Sequence, residues 1–306
     1  MTLTLRQGCK VGYGEFQCVL GSSRSTGRGV SGGWWAAAFV HRVGSGGPAV
    51  VFLPGASAIG LDYFGVQQGV SEFTTAVVYD RGGTGYSEPM TLPRGAAQVV
   101  EELRALLRAE NISGPYVLAA HSLGGFYAHR FAQLFPAEVA GLVWLDALHH
   151  AWDEFMPPAA SLAAAQDMGS DVDQLEQMVP ALRQMHGELY ADYPEELRQR
   201  LVETKVSGEA LRAGIAERAN LTDLAAELRS GPRLPDVPLI ALSVVGAATE
   251  PTARAGRIRM DAAVVGSVTH GEQRLVDDTA HHRLCFDRPD AVVEAIRDVV
   301  TRASHA

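Results

Sequence analysis

Five short apolar runs, at residues 49–53, 76–79, 116–120, 139–145 and 239–245, constrain this chain more than any other feature. Turn-forming residues bound them. Runs this short and this uniformly apolar suit strands buried on both faces of a parallel sheet, where no face is left for polar alternation. Between the second and third runs, residues 98–109 place Val99, Leu103, Leu106 and Leu107 on one face of a helix. A second helical pattern, 125–135, separates the third run from the fourth. Strands alternating with helices predict a doubly wound, mostly parallel α/β sheet, with right-handed crossovers placing helices on both faces. Functional groups then collect at the carboxyl ends of the strands. Residues 34–42 read as a further strand, preceded by strand fragments and a Gly- and Ser-rich loop over 21–33.

After Asp146 the pattern changes. From about 151 to 230 strand signals stop, and helical stretches follow at 159–168, 173–190, 195–206, 209–217 and 221–229, punctuated by Pro157, Pro158, Pro194 and Pro232. This predicts a helical cap over 149–232 inserted into a core made of 1–148 and 233–306. Extra helices on one edge of the sheet are the plainer alternative. A chain of 306 residues has room for one such domain with its insertion.

Charge excludes some partners. The formal net charge is −9, and lysine occurs only at Lys10 and Lys205, so a nucleic-acid backbone is not an expected partner. No apolar run approaches the roughly 18 residues of a membrane span, and residues 1–10 lack the apolar core of a secretory signal. Three cysteines, Cys9, Cys18 and Cys285, suit free thiols and a cytoplasmic setting. A Cys9–Cys18 disulfide and a homodimer both stay open.

The third run leads directly into His121, Ser122, Leu123, Gly124 and Gly125, and a helix follows. A sharp strand–turn–helix projects the serine hydroxyl clear of the sheet, and it needs small neighbours, here Ala120 and Gly124. The helix that follows points its amino end at the site, favouring developing negative charge. This segment resembles the G-x-S-x-G nucleophile elbow of the α/β-hydrolase superfamily, with Ala120 in place of the first glycine. Three further segments resemble the same superfamily in the right order: residues 50–57, the turn 79–87, and Asp287-Arg288-Pro289 opening a last helix over 290–300. The resemblance covers about 35–146 and 235–301.

The resemblance implies Ser122 as nucleophile and backbone amides of Ala56 and Leu123 as an oxyanion hole, although Pro54-Gly55 stands where many relatives carry His-Gly. Arg81 reads as a structural ion-pair partner. The base falls on a late loop holding His281 and His282. The count back from Pro289 favours His282, whereas Asp278-Thr279-Ala280-His281 looks like the family's D-S-G-H and favours His281. His282 is taken as base, with His281 as alternate. The orienting acid is Asp146, ending the fourth run, with Glu250 as alternate; a carboxylate ending a buried strand is costly without a partner.

Together these imply a serine hydrolase that cleaves a small-molecule ester, lactone or thioester through an acyl-enzyme. Relatives that are dehalogenases or epoxide hydrolases use an aspartate nucleophile, which Ser122 argues against. Two alternatives remain: a non-hydrolytic enzyme (cofactor-independent dioxygenase, lyase or cyclase) that reuses the triad, and a receptor-like protein with little turnover. Met156, Met168, Met178 and Met185 are candidates to line a pocket under the cap. No cofactor is expected. His149, His150 and Asp153 match no common metal-ligand spacing, so no metal is expected either.

Overall fold

In the computed structural model, which describes residues 18–19, 38–167, 175, 177–246 and 250–305, the predicted runs form the centre of one sheet. Its strands are β1 (Cys18–Val19), β2 (Ala38–Val43), β3 (Val50–Leu53), β4 (Ala76–Tyr79), β5 (Tyr116–His121), β6 (Val139–Leu145), β7 (Leu239–Val244) and β8 (Gly271–Val276). They lie in the order β1-β2-β4-β3-β5-β6-β7-β8, with β2 antiparallel to β1 and β4 and the others parallel. The loop expected over 21–33, the start of the strand expected over 34–42, and Cys9 lie outside the described residues.

Each central strand buries both faces, which explains its unbroken apolar sequence. Val51, Leu53, Leu118, Ala120 and Trp144 face one side. There they meet α2 (Ala96–Ala109) and α3 (Gly124–Leu134), through Leu103, Leu107, Phe126 and Phe131. Val50, Phe52, Val117, Ala119, Val143 and Leu145 face the other side. They meet α1 (Phe64–Ser71), defined here as the first helix, and α12 (Pro289–Ala303), the last. Burying one such aliphatic or aromatic side chain contributes about 1.5–3 kcal/mol.

Between β6 and β7 the chain is helical: α4 (Trp152–Phe155), α5 (Leu162–Asp167), α6 (Val179–Leu189), α7 (Glu195–Lys205), α8 (Gly208–Arg218) and α9 (Leu221–Arg229). Part of the stretch expected over 173–190, and Met168, fall outside the described residues. A third apolar cluster joins this region to the sheet domain, with Leu189, Tyr190, Leu197 and Leu201 packed against Phe39, Ile59 and Leu61. Two further α-helices are α10 (Pro251–Val265) and α11 (Leu284–Asp287), the latter directly preceded by a 3-10 turn, His281–Arg283.

Register brings the functional candidates to one edge. Leu53 lies beside Ala120, Ala120 beside Trp144, and Leu145 beside Leu242. The carboxyl ends of β3, β5, β6 and β7 are therefore level, and the loops that leave them converge.

Candidate active site

The turn from β5 to α3 holds Ser122 at φ +50°, a left-handed conformation that a non-glycine residue adopts only under constraint. The constraint is visible. The Ser122 carbonyl accepts from Gly125 N at 2.9 Å and from Leu148 N at 2.8 Å, which ties the turn to the segment after β6. Small residues are required by close approach: a Cβ on Gly124 would sit 2.1 Å from the Leu53 carbonyl oxygen, and one on Gly125 would sit 2.4 Å from that of Leu148. A Cβ on Gly55 would meet Ser122 Cβ at 3.1 Å, so the loop after β3 lies directly against the serine.

That loop carries Ala56. The amides of Ala56 and Leu123 donate to no other group among the described residues. Arg81 fixes the loop from beneath. Its Nη1 and Nη2 donate to the carbonyls of Pro54 and Gly55 at 2.5 and 2.7 Å, and its Nε donates to Glu217 Oε1 at 2.7 Å. Glu217, on α8, also accepts from Ser57 N at 3.0 Å. The ion-pair role expected for Arg81 is thus filled by a carboxylate from the helical region, a partner no sequence spacing points to.

Asp146 also has positive φ, +49°, and is 3% exposed. Its Oδ1 accepts from Val244 N at 3.0 Å and lies 3.3 Å from Arg257 Nε; its Oδ2 is 2.5 Å from His281 Nδ1. Burial by itself pushes this carboxyl up, but the Arg257 charge, His281 and the Val244 amide together hold it at about 2. Arg257 was not singled out from the sequence; it lies on α10, donates to the Ala147 carbonyl at 2.7 Å, and stacks 4.4 Å from the Trp152 ring.

Of the two adjacent histidines, His281 reaches Asp146. A carboxylate only accepts, so His281 Nδ1 carries a proton and donates to Asp146 Oδ2, which in the neutral ring places the lone pair on Nε2. His282 is exposed and makes no hydrogen bond among the described residues. Glu250 lies elsewhere: it is exposed and caps α10, accepting from Thr252 N and Ala253 N at 2.9 and 2.8 Å.

Hydrogen bonding also sets a tautomer at His121. Its Nε2 lies 3.1 Å from the His281 carbonyl, which can only accept, so Nε2 is protonated and Nδ1 is the acceptor. Tyr63 Oη, 3.0 Å from that Nδ1, then donates to it and accepts from Gly55 N at 3.1 Å. Burial, followed by the neighbouring His281, lowers the His121 ring to about 3 and keeps it neutral. The two rings stack at 4.8 Å. A continuous chain therefore runs from the Ala56 loop to the backbone of His281.

Ser122, His281, His282, His121 and Ala56 line one cavity of about 360 Å³. The helical region supplies much of its apolar wall, including Leu182, Met185, Leu189 and Leu211. Of the methionines proposed to line a pocket, Met185 does; Met156 is buried beside Gly256, and Met178 is 44% exposed. Among the described residues, no helix is long and apolar enough to cross a membrane.

The profile of the alpha/beta hydrolase family matches residues 50–295. A putative carbamate hydrolase, RutD of Cronobacter turicensis, is 31% identical over 103 residues, 33% of this chain and 38% of that protein. Matches to curated relatives take in between 17% and 42% of those proteins' own length. Among solved structures, an esterase from Thermogutta terrifontis is similar with a TM-score of 0.58 at 20% identity, over 88% of this chain and 94% of its own. The epoxide hydrolase CorEH is similar with a TM-score of 0.67 at 18% identity, over 87% and 95%.

Proposed function

We propose that this chain, which belongs to the α/β hydrolase family, is a serine hydrolase that cleaves a carboxylic ester, lactone or thioester through an acyl-enzyme on Ser122. The observation that carries this reading is the Asp146–His281 hydrogen bond beside the cavity that holds Ser122, itself at φ +50°. We assign the base to His281 and the orienting acid to Asp146.

In this mechanism His281 Nε2 takes the Ser122 proton as Oγ attacks the substrate carbonyl carbon. The amides of Ala56 and Leu123 donate to the oxyanion, each such donor contributing about 3–4 kcal/mol to the barrier reduction. The tetrahedral intermediate collapses, and His281 passes its proton to the departing alcohol or thiol. Water then gives a proton to His281 as its oxygen attacks the acyl carbonyl, and the second tetrahedral intermediate breaks its bond to Ser122 Oγ, which takes the proton back from His281 as the acid leaves. Asp146, held ionised at about 2, stabilises the imidazolium formed in each half.

The esterase among the structural neighbours and the putative hydrolase among the sequence relatives favour acyl chemistry. The largely apolar cavity suits the acyl part of a small molecule. We read 149–232 as a cap over that cavity. The buried free thiol of Cys285 suits a reducing, cytoplasmic setting.

The test is turnover of p-nitrophenyl acetate together with fluorophosphonate labelling. Ser122→Ala should lose both. His281→Ala should lower kcat by about 10⁴–10⁶-fold, whereas His282→Ala should stay within about tenfold. Retained turnover in Ser122→Ala, or a greater loss in His282→Ala than in His281→Ala, would refute the assignment.

A further inference from the structure

We infer that His129, His149 and His150 form a binding site for one borderline-soft divalent transition-metal cation, of the zinc or cobalt class, at the root of the helical region. One ligand atom from each of the three side chains lies within 4.8 Å of the others. The sequence separates His129 from the pair, and the fold unites them. His129 sits on α3, the helix that follows Ser122, while His149 and His150 follow β6 and Asp146. Asp153, the other nearby donor in sequence, is turned away and accepts from Leu162 N at 2.8 Å.

Two features point to a cation rather than to packing. First, His129 is 3% exposed, and its Nδ1 and that of His150 are buried with no hydrogen-bond partner among the described residues. Imidazoles buried for packing ordinarily spend their polar atoms on carbonyls or carboxylates. Second, the rings crowd one another, with centroids 4.0 Å apart for His149 and His150, 4.9 Å for His129 and His150, and 5.5 Å for His129 and His149.

An all-imidazole donor set suits zinc, cobalt, nickel and copper rather than magnesium or calcium, which take oxygen. Tetrahedral bonds of about 2.0–2.1 Å place ligand atoms about 3.4 Å apart, so the rings must close inward by at most about 1.4 Å. The hydrogen bond from Ala151 N to His149 Nδ1, at 3.2 Å, is given up on coordination. The bound ion would pin α3 to the segment that leaves β6. There Arg229 Nη1, from α9, already donates to the His150 carbonyl at 2.7 Å. The cation would thus clamp the helical region to the sheet domain, and its role is independent of the acyl chemistry.

The test uses the untagged full chain, stripped of metal, titrated with Co²⁺ by visible absorption and with Zn²⁺ by calorimetry. One equivalent should bind with a Kd below about 10 μM, and X-ray absorption of the loaded wild type should show at least three imidazole nitrogens. His149→Ala and His150→Ala should each weaken binding at least about 100-fold, while His281→Ala and His282→Ala leave it unchanged. No binding by the wild type, fewer than three imidazoles, or affinity that follows His281 or His282 instead would overturn the inference.

Discussion

Glu217→Gln tests whether the helical region holds the loop beside Ser122 in place. Arg81 and Glu217 have side chains only 1% and 2% exposed and approach to 2.6 Å. Burial alone would favour a neutral guanidinium, but the Glu217 charge offsets it and holds Arg81 above its ordinary range. Glutamine keeps the shape and removes the charge. It also has a single acceptor oxygen, while Glu217 serves two donors, Arg81 Nε and Ser57 N. One donor is left without a partner, and a buried cation without a counter-charge. Breaking a buried pair from one side costs about 3–5 kcal/mol. At about 2–4 °C per kcal/mol for a large domain, the melting temperature should fall by roughly 6–20 °C. The carbonyls of Pro54 and Gly55 and the amide of Ser57 would lose their fixed positions, and Ala56 lies among them. A displacement approaching 1 Å there should lower kcat by up to about 100-fold. Thermal and urea denaturation measure the stability loss, and p-nitrophenyl acetate turnover measures the displacement. The double variant Arg81→Met with Glu217→Leu should regain stability relative to Glu217→Gln, because neither charge is then stranded, but not turnover. A loss below about 1 kcal/mol in the single variant, or a double variant less stable than the single, would refute the reasoning.

Asp146 makes the chain's stability depend on acid pH. Its folded value of about 2 lies below the ordinary 3.8, so the folded state favours the carboxylate. The corresponding stabilisation, roughly 2 kcal/mol, is fully present above about pH 5 and is lost as pH falls through 2. The stability gap between wild type and Asp146→Asn should therefore narrow between pH 5 and pH 2 in urea unfolding; a constant gap would remove Asp146 as the source. Gly124→Ala sets two effects against each other. Helix propensity would favour alanine by up to about 1 kcal/mol, but the new Cβ would sit 2.1 Å from the Leu53 carbonyl oxygen, which is backbone and cannot turn aside. We expect a net loss of about 1–3 kcal/mol with lowered turnover, and a thermally stabilised, fully active variant would contradict it.

The buried strands were the most legible part of the fold. The runs at 76–79 and 139–145 coincide with β4 and β6 to the residue, because a strand covered on both faces must be apolar throughout. β8 carries no such mark. It lies at the sheet edge, where Glu272 and Arg274 stay near solvent and pair with each other and with Arg302 and Asp298. Its sequence, Gly271 to Val276, therefore reads as a surface segment.

At the site, local sequence carries the elbow, since small residues around Ser122 answer a steric demand made within a few positions. It does not separate His281 from His282. The two are neighbours in one turn, and only the ring that meets Asp146 across the fold distinguishes them. Arg257 and Glu217 have the same origin. Each acquires its partners from an element distant in sequence, and each is a polar side chain whose burial becomes affordable only once those partners surround it. Periodicity and turn chemistry act over a few residues and set which segments are buried. Which charges and imidazoles meet is decided by packing, because a hydrogen bond needs its partner within about 3 Å and the chain's order does not carry that distance.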